Sequence, residues 1–189
     1  MSHKNRAIVK QKPGQAIITD VPVPPLRPGY MLVRTHAVAL NPADWTDVDY
    51  SDYYGCIVGI DYGGVVVEVG GQTVRSFKTG DRVAGSAHGC NTLQPSDGAF
   101  AQYILVKTDL QIHIPDSMSF EEAASLGVGI LTSGMGLFHE MGLPLPADPS
   151  SEENFSSRTP KNNSWILIYG GSSATGSIAI QLAKLQVTS

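Results

Sequence analysis

The feature that most constrains this chain is a glycine-rich turn between an apolar run and an amphipathic helix. It lies within Trp165-Ile-Leu-Ile-Tyr-Gly-Gly-Ser-Ser-Ala-Thr-Gly176. Ile166 to Tyr169 is apolar and β-prone, and Ser177 to Leu185 has the apolar spacing of an amphipathic helix. Strand, glycine turn and helix in this order are typical of a dinucleotide phosphate loop. Because parallel strands need neighbours, and the short remainder of the sequence provides none, we predict the first β-α unit of an incomplete α/β domain.

Composition excludes several classes of protein. The chain has 189 residues, 42% of them hydrophobic and 16% charged, which suits one globular domain and part of a second. A net charge of −4 without a Lys/Arg cluster predicts no nucleic-acid partner. No apolar run has the length of a membrane span or the character of a secretory signal, so we expect no membrane association and a cytoplasmic location.

The chain has only two cysteines, Cys56 and Cys90. Two cysteines make no disulfide framework, and their spacing is not that of a structural zinc site. A disulfide between these two remains an open alternative at this point, although a cytosolic location disfavours it.

Short apolar or alternating runs separated by glycine and proline predict a β-rich region from Ala7 to Val106. The predicted strands are Ala16 to Val21, Tyr30 to Val38, Gly64 to Val69, Asp81 to Ala84 and Phe100 to Val106.

The hydrophobic period changes at Ser119, which with the following glutamates predicts a helix start that continues through Ala123 to Leu126. We expect a second helix over Leu131 to Met141. Pro144 to Asn163 is polar, proline-bearing and aperiodic, and we interpret it as a flexible insertion.

Four motifs in the first part of the chain each have an ordinary structural explanation. Asn41-Pro-Ala-Asp-Trp45 predicts a turn, because Asn-Pro favours one. Gly59 to Gly70 and Phe77 to Val83 each lead from a turn into a strand, and Gly98 to Tyr103 is typical of a core strand. These separate explanations do not account for the order and spacing of the four motifs ahead of the glycine turn.

In this order the motifs resemble those of the medium-chain dehydrogenase/reductase superfamily, and from about Ala7 to Leu185 the chain resembles its N-terminal half. Within the superfamily the chain is most similar to the zinc-free fungal trans-acting enoyl reductases of polyketide biosynthesis, the lovastatin enoyl reductase type. The insertion after Met141-Gly-Leu-Pro-Leu-Pro146 and the form Tyr169-Gly-Gly-Ser-Ser-Ala-Thr175 point to this group.

The resemblance implies a mainly β GroES-like domain followed by the first β-α unit of an incomplete α/β Rossmann domain. We expect the GroES-like substrate and catalytic domain over residues 1–130. Residues 131–189 would hold the linking helix, the insertion and the start of a truncated NAD(P)-binding domain. In this family the cofactor and substrate lie in the cleft between the two domains.

Two positions decide the expectation for zinc. Zinc alcohol dehydrogenases carry a cysteine where this chain has Asn41 and a Gly-His-Glu where it has Gly59-Ile60-Asp61. Neither Asn41 nor Ile60 supplies a thiolate or an imidazole, so we predict that no zinc is bound. No role is assigned to the five histidines, which are His3, His36, His88, His113 and His139.

In the glycine turn, Gly171 and Gly176 hold the first and third positions of the Gly-x-Gly-x-x-Gly fingerprint, and Ser173 takes the second. The hydroxyls of Ser172, Ser173 and Thr175 are candidate phosphate donors.

The resemblance also implies the site residues. The expected cofactor-binding residues are Ala43, Asp44, Trp45 and Thr46 beside the nicotinamide, and Gly171, Ser172, Ser173, Ala174, Thr175 and Gly176 at the phosphates. The expected wall of the acyl pocket is Ser133, Gly134, Met135, Gly136, Leu137, Phe138, His139 and Glu140. No catalytic proton donor is assigned: Tyr53 and Tyr54 lie in a suitable region, but packing is their preferred interpretation.

The implied reaction is hydride transfer from NADPH to the β-carbon of an α,β-unsaturated thioester carried by a polyketide synthase, then protonation at the α-carbon. NADPH rests on the family alone, because the residues that select NAD or NADP follow a strand that this sequence lacks. Two alternatives stay open. One is a zinc-free quinone oxidoreductase, and the other is a truncated, non-catalytic remnant or partner-binding fragment.

Overall fold

The computed structural model of the protein describes residues 4–73, 75–146 and 165–187. The chain divides into two compact units, residues 1–128 and residues 129–189. Within the described residues, no helix is both long and apolar enough to cross a bilayer.

The described part of the first unit is mainly β, as predicted. Its strands are β1 (Lys4–Lys12), β2 (Gln15–Pro22), β3 (Tyr30–Ala39), β4 (Asp61–Val69), β5 (Arg82–Ser86), β6 (Tyr103–Lys107) and β7 (Gln111–His113). β1 and β2 form one antiparallel sheet, and the others form a second in the order β6-β3-β4-β5-β7. All neighbours in this second sheet are antiparallel.

The core of the first unit is made by alternating side chains of these strands. In β3, Met31 and Val33 are buried while Arg34 is exposed, the period of two that a half-buried strand requires. Tyr62 of β4 is fully buried, and its hydroxyl donates to Oε1 of Gln111 at 2.8 Å. Burial raises the pKa of Tyr62 well above its ordinary value. This buried polar pair thus has its hydrogen bond satisfied.

All five predicted strands are present, with shifts of their ends. The core strand predicted at Gly98 to Tyr103 is wrong, because β6 begins only at Tyr103 and Ala101 makes no more than an isolated bridge to Ala7. β1 and β7 were not predicted. Ala7 and Val9 of β1 are buried in alternation, and that signal is present in the sequence. β7 has only three residues, too few for its period to be recognised.

The helix start predicted at Ser119 is confirmed, because α2 (Phe120–Ala124) begins directly after it. The backbone N–H of Glu122 donates to the Ser119 hydroxyl at 3.1 Å, and the Ser119 N–H donates to the Glu122 carboxylate at 2.9 Å. This reciprocal pair is a capping box, which satisfies two otherwise unpaired donors.

The turn predicted at Asn41-Pro42 is wrong, because these residues begin the helix α1 (Pro42–Tyr50). Asn41 is extended and precedes a proline in the first turn, where the missing N–H costs nothing. The Asn41 N–H donates to Oδ2 of Asp44 at 2.7 Å. In return, the Asp44 N–H donates to the Asn41 carbonyl at 3.0 Å. The same residue types favour a turn and a helix start, and the carboxylate three residues on decides for the helix.

Described residues of the second unit are mostly helical. α3 (Gly127–Gly134) crosses the boundary between the units and continues into a π-helical segment, Met135–Glu140, and α4 covers Ala174–Val187. The helix predicted from Leu131 is therefore present but begins earlier, and its last part is π-helical. The helix predicted from Ser177 is confirmed as the main part of α4.

The strand predicted at Ile166 to Tyr169 is wrong in this structure, because these residues form no ladder. Trp165, Leu167 and Tyr169 are each more than nine-tenths exposed. A strand is stabilised by hydrogen bonds to a neighbour, and none of the described residues pairs with this segment. Most of the predicted insertion at 144–163 lies outside the described residues.

Candidate functional site

Asp61, the first residue of β4, accepts hydrogen bonds from three separate parts of the first unit. Its Oδ2 accepts from Asn41 Nδ2 at 3.0 Å, and its Oδ1 accepts from the Ser86 hydroxyl at 3.1 Å. The backbone N–H of Val128 donates to both oxygens, at 2.9 and 3.1 Å. We call Asn41, Asp61, Ser86 and Val128 the Asp61 cluster; it joins the residue before α1, the end of β5 and the first turn of α3.

Burial of this carboxylate is costly, and the structure shows how it is tolerated. Asp61 is 1% exposed, and burial raises its pKa, while the bonds from Asn41, Val128 and Ser86 lower it in part. Gly127 permits the approach of α3, because a Cβ there would overlap Oδ1 of Asp61. The short distance to the Val128 N–H also places the carboxylate at the helix N-terminus, where the dipole favours negative charge.

Asp44, in the first turn of α1, is a second buried carboxylate. Burial raises its pKa, and the hydrogen bond from the Asn41 N–H lowers it in part. The negative charges of Asp61 and Asp47 raise the pKa further. The backbone N–H of Ile60 also lowers this pKa in part, although no hydrogen bond of ordinary geometry reaches Oδ1 within the described residues. The residues predicted to lie beside the nicotinamide differ in their exposure. Asp44 is buried, whereas Ala43 and Trp45 are exposed. Thr46 is half-buried and donates to the Ala43 carbonyl at 3.0 Å.

A cavity of about 440 Å³ lies within the first unit. It is lined by the second half of α1 and the turn after it, by Ile60, and by residues 87–92. The lining residues are Asp47, Ser51, Tyr53, Ile60, Ala87, His88, Gly89, Cys90 and Thr92. The lining residues thus include hydroxyl, phenol, imidazole and carboxylate side chains beside two aliphatic ones, and polar groups in such a cavity can orient a ligand.

Sequence reasoning considered only Tyr53 of these residues for a catalytic role, although it also discussed Ile60, His88 and Cys90. The other lining residues come from three stretches that are distant in sequence, and no local pattern relates them. Tertiary contacts hold the last stretch in place, because the Ala87 N–H donates to the Ile60 carbonyl at 2.7 Å and the Cys90 N–H to the Ile57 carbonyl at 2.9 Å. A Cβ on Gly89 would come within 2.6 Å of the Gly59 carbonyl oxygen, so this close approach requires glycine.

Cys56 and Cys90 are both buried free thiols. Burial raises the pKa of Cys90 to about 12, and a hydrogen bond with Cys56 adds to the rise. Because the thiolate is the nucleophilic form, Cys90 forms a neutral part of the cavity wall rather than a nucleophile at neutral pH.

The two positions that decide the zinc expectation carry no typical ligand in this geometry. The Asn41 amide is bound to Asp61, and Ile60 contributes an aliphatic side chain to the cavity. Among the described residues, no group of three or more His, Cys, Asp or Glu side chains is arranged to hold a metal ion.

The glycine turn of the second unit is closed by Ser173. Its hydroxyl donates to the Gly170 carbonyl at 2.8 Å and accepts from the Gly176 N–H at 3.0 Å, while the Ser173 N–H donates to the same carbonyl at 2.9 Å. A Cβ on Gly176 would overlap the Gly170 carbonyl oxygen, so the third fingerprint position requires glycine. The Ser173 hydroxyl is thus engaged inside the turn, which leaves Ser172 and Thr175 as the predicted hydroxyl donors outside it.

The residues predicted for the acyl pocket lie on α3 and the π-helical segment. Ser133 is buried and donates to the Thr175 carbonyl at 3.0 Å, so it joins α3 to the first turn of α4. Leu137 is also buried, whereas Gly134, Gly136 and Phe138 are half-buried. The exposed members are Met135, His139 and Glu140, and the His139 ring lies 3.0 Å from the Glu140 carboxylate.

Comparison with known proteins relates this chain to oxidoreductases. The alcohol dehydrogenase GroES-like domain family matches residues 27–116. The chain is 51% identical over 183 residues to the trans-enoyl reductase resD of Aspergillus sclerotiorum, covering 95% of this chain and 51% of that protein. The chain therefore spans about half the length of this curated relative.

Two solved structures extend the comparison. The quinone oxidoreductase from Coxiella burnetii is 26% identical, with a TM-score of 0.71 over 97% of this chain and 54% of that one. A mycobacterial protein in complex with NADPH is 27% identical, with a TM-score of 0.60 over 70% of this chain and 40% of that one. These matches confirm the predicted fold class.

Asp61→Asn and Asp44→Asn form a matched pair for the two buried carboxylates. An amide at position 61 would turn an NH2 group toward the donors that the carboxylate now satisfies, so we expect the free energy of unfolding to fall by about 3 kcal/mol. Asp44→Asn keeps an acceptor for the Asn41 N–H and removes a buried charge, so it should be neutral or stabilising at neutral pH. Urea unfolding of both variants measures this, and equal destabilisation would contradict it.

The pH dependence of Asp44→Asn gives an independent check. The folded-state pKa of Asp44 lies above its ordinary 3.8, so the unfolded chain loses this proton first as the pH rises. The Asp44 contribution to stability is therefore greatest at low pH and falls as the pH rises from about 3.8 through the folded pKa. We expect a smaller fall in the variant than in the wild type when unfolding is measured from about pH 4 to about pH 7.

Gly176→Ala tests the closed glycine turn, with Gly136→Ala as control because a Cβ at Gly136 meets nothing within 4 Å. Steric overlap of this kind costs about 1–3 kcal/mol, so we expect the Ser177 amide, which donates to the Ser173 carbonyl at 2.9 Å, to exchange with solvent about tenfold faster or more. Hydrogen exchange by NMR measures this. Unchanged protection in Gly176→Ala would show that the turn tolerates a side chain.

Proposed function

We propose that this chain, which belongs to the medium-chain dehydrogenase/reductase family, is the GroES-like part of an NADPH-dependent trans-acting enoyl reductase. The observation that carries the proposal is the 51% identity to a trans-enoyl reductase over 95% of this chain. The cavity of the first unit and the closed glycine turn of the second supply a ligand site and a phosphate site of suitable chemistry.

The glycine turn fits a dinucleotide. Gly176 lacks the Cβ that would block the turn, and the turn leads into α4, whose N-terminus favours a phosphate group. Gly171, Ser172, Ala174, Thr175 and Gly176 would hold the pyrophosphate, while Ser173 keeps the turn closed. Enzymes of this family use nicotinamide cofactors, and the mycobacterial relative solved with NADPH supports that member of the class. When bound, the cofactor supplies the hydride.

The cavity would receive the thioester end of the substrate. Thr92 offers a hydroxyl donor to the carbonyl oxygen as enolate charge develops, and Ile60 keeps water from the reacting carbons. Of the two candidate tyrosines, Tyr53 lines the cavity, so the proposal assigns it the α-carbon proton. Placement of the acyl chain along Ser133 to Glu140 and of the nicotinamide beside Ala43 to Thr46 stays a prediction.

The proposed partner is a polyketide synthase that carries the α,β-unsaturated thioester. The support is the similarity to resD, which is named a trans-enoyl reductase. The proposed activity is cytosolic and requires neither nucleic acid nor zinc.

A second candidate function, reduction of quinones, is favoured by the likeness to the Coxiella burnetii quinone oxidoreductase. The polar groups of the cavity suit a quinone carbonyl as well as a thioester carbonyl. Substrate choice therefore separates the two functions, since both use the same cofactor.

Titration of this chain with NADPH, followed by fluorescence, is the test, with NADH for comparison and Gly176→Ala as control. We expect saturable binding in the micromolar range, tighter for NADPH, and about tenfold weaker for the variant. Consumption of NADPH with S-crotonyl-N-acetylcysteamine but not with 1,4-benzoquinone would support the enoyl reductase, and the reverse would favour the quinone oxidoreductase. Without saturable binding, the chain by itself is not the proposed enzyme.

A further inference from the structure

Lys10 of β1 has an ammonium group that is fully buried, at 0% exposure. Its Nζ donates to the Asp47 carbonyl at 2.7 Å, to the Ser51 hydroxyl at 2.7 Å, and to the Ser51 carbonyl. An ammonium has three N–H donors, so these three acceptors satisfy it completely. Burial of a charge is tolerated only under such conditions, which makes this arrangement specific rather than incidental.

The acceptors all belong to the C-terminal end of α1. Ser51 is the residue that ends this helix, and both its N–H and its hydroxyl donate to the Asp47 carbonyl, at 3.3 and 2.7 Å. The last turn of α1 contains no basic residue of its own. Because a cation near a helix C-terminus interacts favourably with the helix dipole, Lys10 supplies from β1 the charge that α1 lacks.

The same helix end forms part of the cavity wall. Asp47 and Ser51, which provide all three acceptors, both line the cavity. The Lys10 charge also reaches Cys90 on that wall, where it opposes the rise that burial causes in the thiol pKa. The Tyr54 ring lies 5.6 Å from Nζ. Lys10 itself does not line the cavity.

We propose that Lys10 is a positioning residue for the cavity, which holds the C-terminal turn of α1 so that Asp47 and Ser51 form one wall. The Asp61 cluster holds the other end of α1 through Asn41, so the helix is anchored at both ends by buried charged side chains of the sheets. Only the identity of the cavity's ligand rests on the function proposed above.

The test compares Lys10→Met with Lys12→Met, which removes an exposed lysine of the same strand. Hydrogen exchange by NMR reports the turn directly through the Ser51 amide. We expect its protection to fall about tenfold or more in Lys10→Met, with much smaller changes in β3 and β4, and no change in Lys12→Met. Unchanged protection, or a uniform loss across the first unit, would overturn the proposal.

Binding of S-crotonyl-N-acetylcysteamine, measured by NMR titration, provides the functional readout. The dissociation constant is expected to rise about tenfold in Lys10→Met and to stay unchanged in Lys12→Met. Wild-type affinity for the thioester in Lys10→Met, or an equal loss in Lys12→Met, would overturn the positioning role. If the wild type does not bind this thioester, the proposed function fails, and the exchange of the Ser51 amide still decides the role of Lys10.

Should Lys10→Met not fold, Ser51→Ala takes its place, since it keeps the ammonium and removes one acceptor. We expect smaller changes of the same sign: the amide of residue 51 should exchange faster, and the dissociation constant for the thioester should rise several-fold. Wild-type exchange and affinity in this variant would overturn the proposal.

Discussion

A carboxylate buried inside a protein must find enough hydrogen-bond donors, and the first unit is arranged around this requirement at Asp61. Its two oxygens accept from Asn41, Ser86 and the Val128 backbone, which belong to three separate segments. Loss of any one segment would leave donors or acceptors unpaired in a buried place, which is costly. The positions of α1, β5 and the start of α3 are therefore coupled through a single side chain.

The candidate cavity depends on the same coupling. Its walls come from α1, from Ile60 beside Asp61, and from residues 87–92 directly after β5. Asn41 ties the beginning of α1 to Asp61, and Lys10 ties its end to β1. A short helix that is marginal by itself is thus held in one position, and a binding site benefits from such rigidity.

Local signals in the sequence predicted local structure well, but they predicted contacts between distant residues poorly. Ser119 with Glu122 marked a helix start correctly, because both members of the capping box lie within one turn. Asn41 with Pro42 was misinterpreted as a turn, although Asp44 carried the information for a helix. At Ile166 to Tyr169 the composition suits a strand, yet a strand also needs a neighbour, which the described residues do not supply. Of the residues that line the cavity, only Tyr53 was considered for a catalytic role.

The sequence by itself determined the mainly β character of the first unit, the family, and the glycine turn, because these depend on residue types at short and regular spacings. Gly176 is an example, because the turn has no room for a Cβ at this position and glycine is the residue without one. Only the tertiary structure decided that Lys10 reaches Ser51, that Asp61 reaches Val128, and that Ser51, Ile60 and Thr92 line one cavity. These contacts join residues distant along the chain, and a buried charge selects its partners by geometry, which no local pattern encodes.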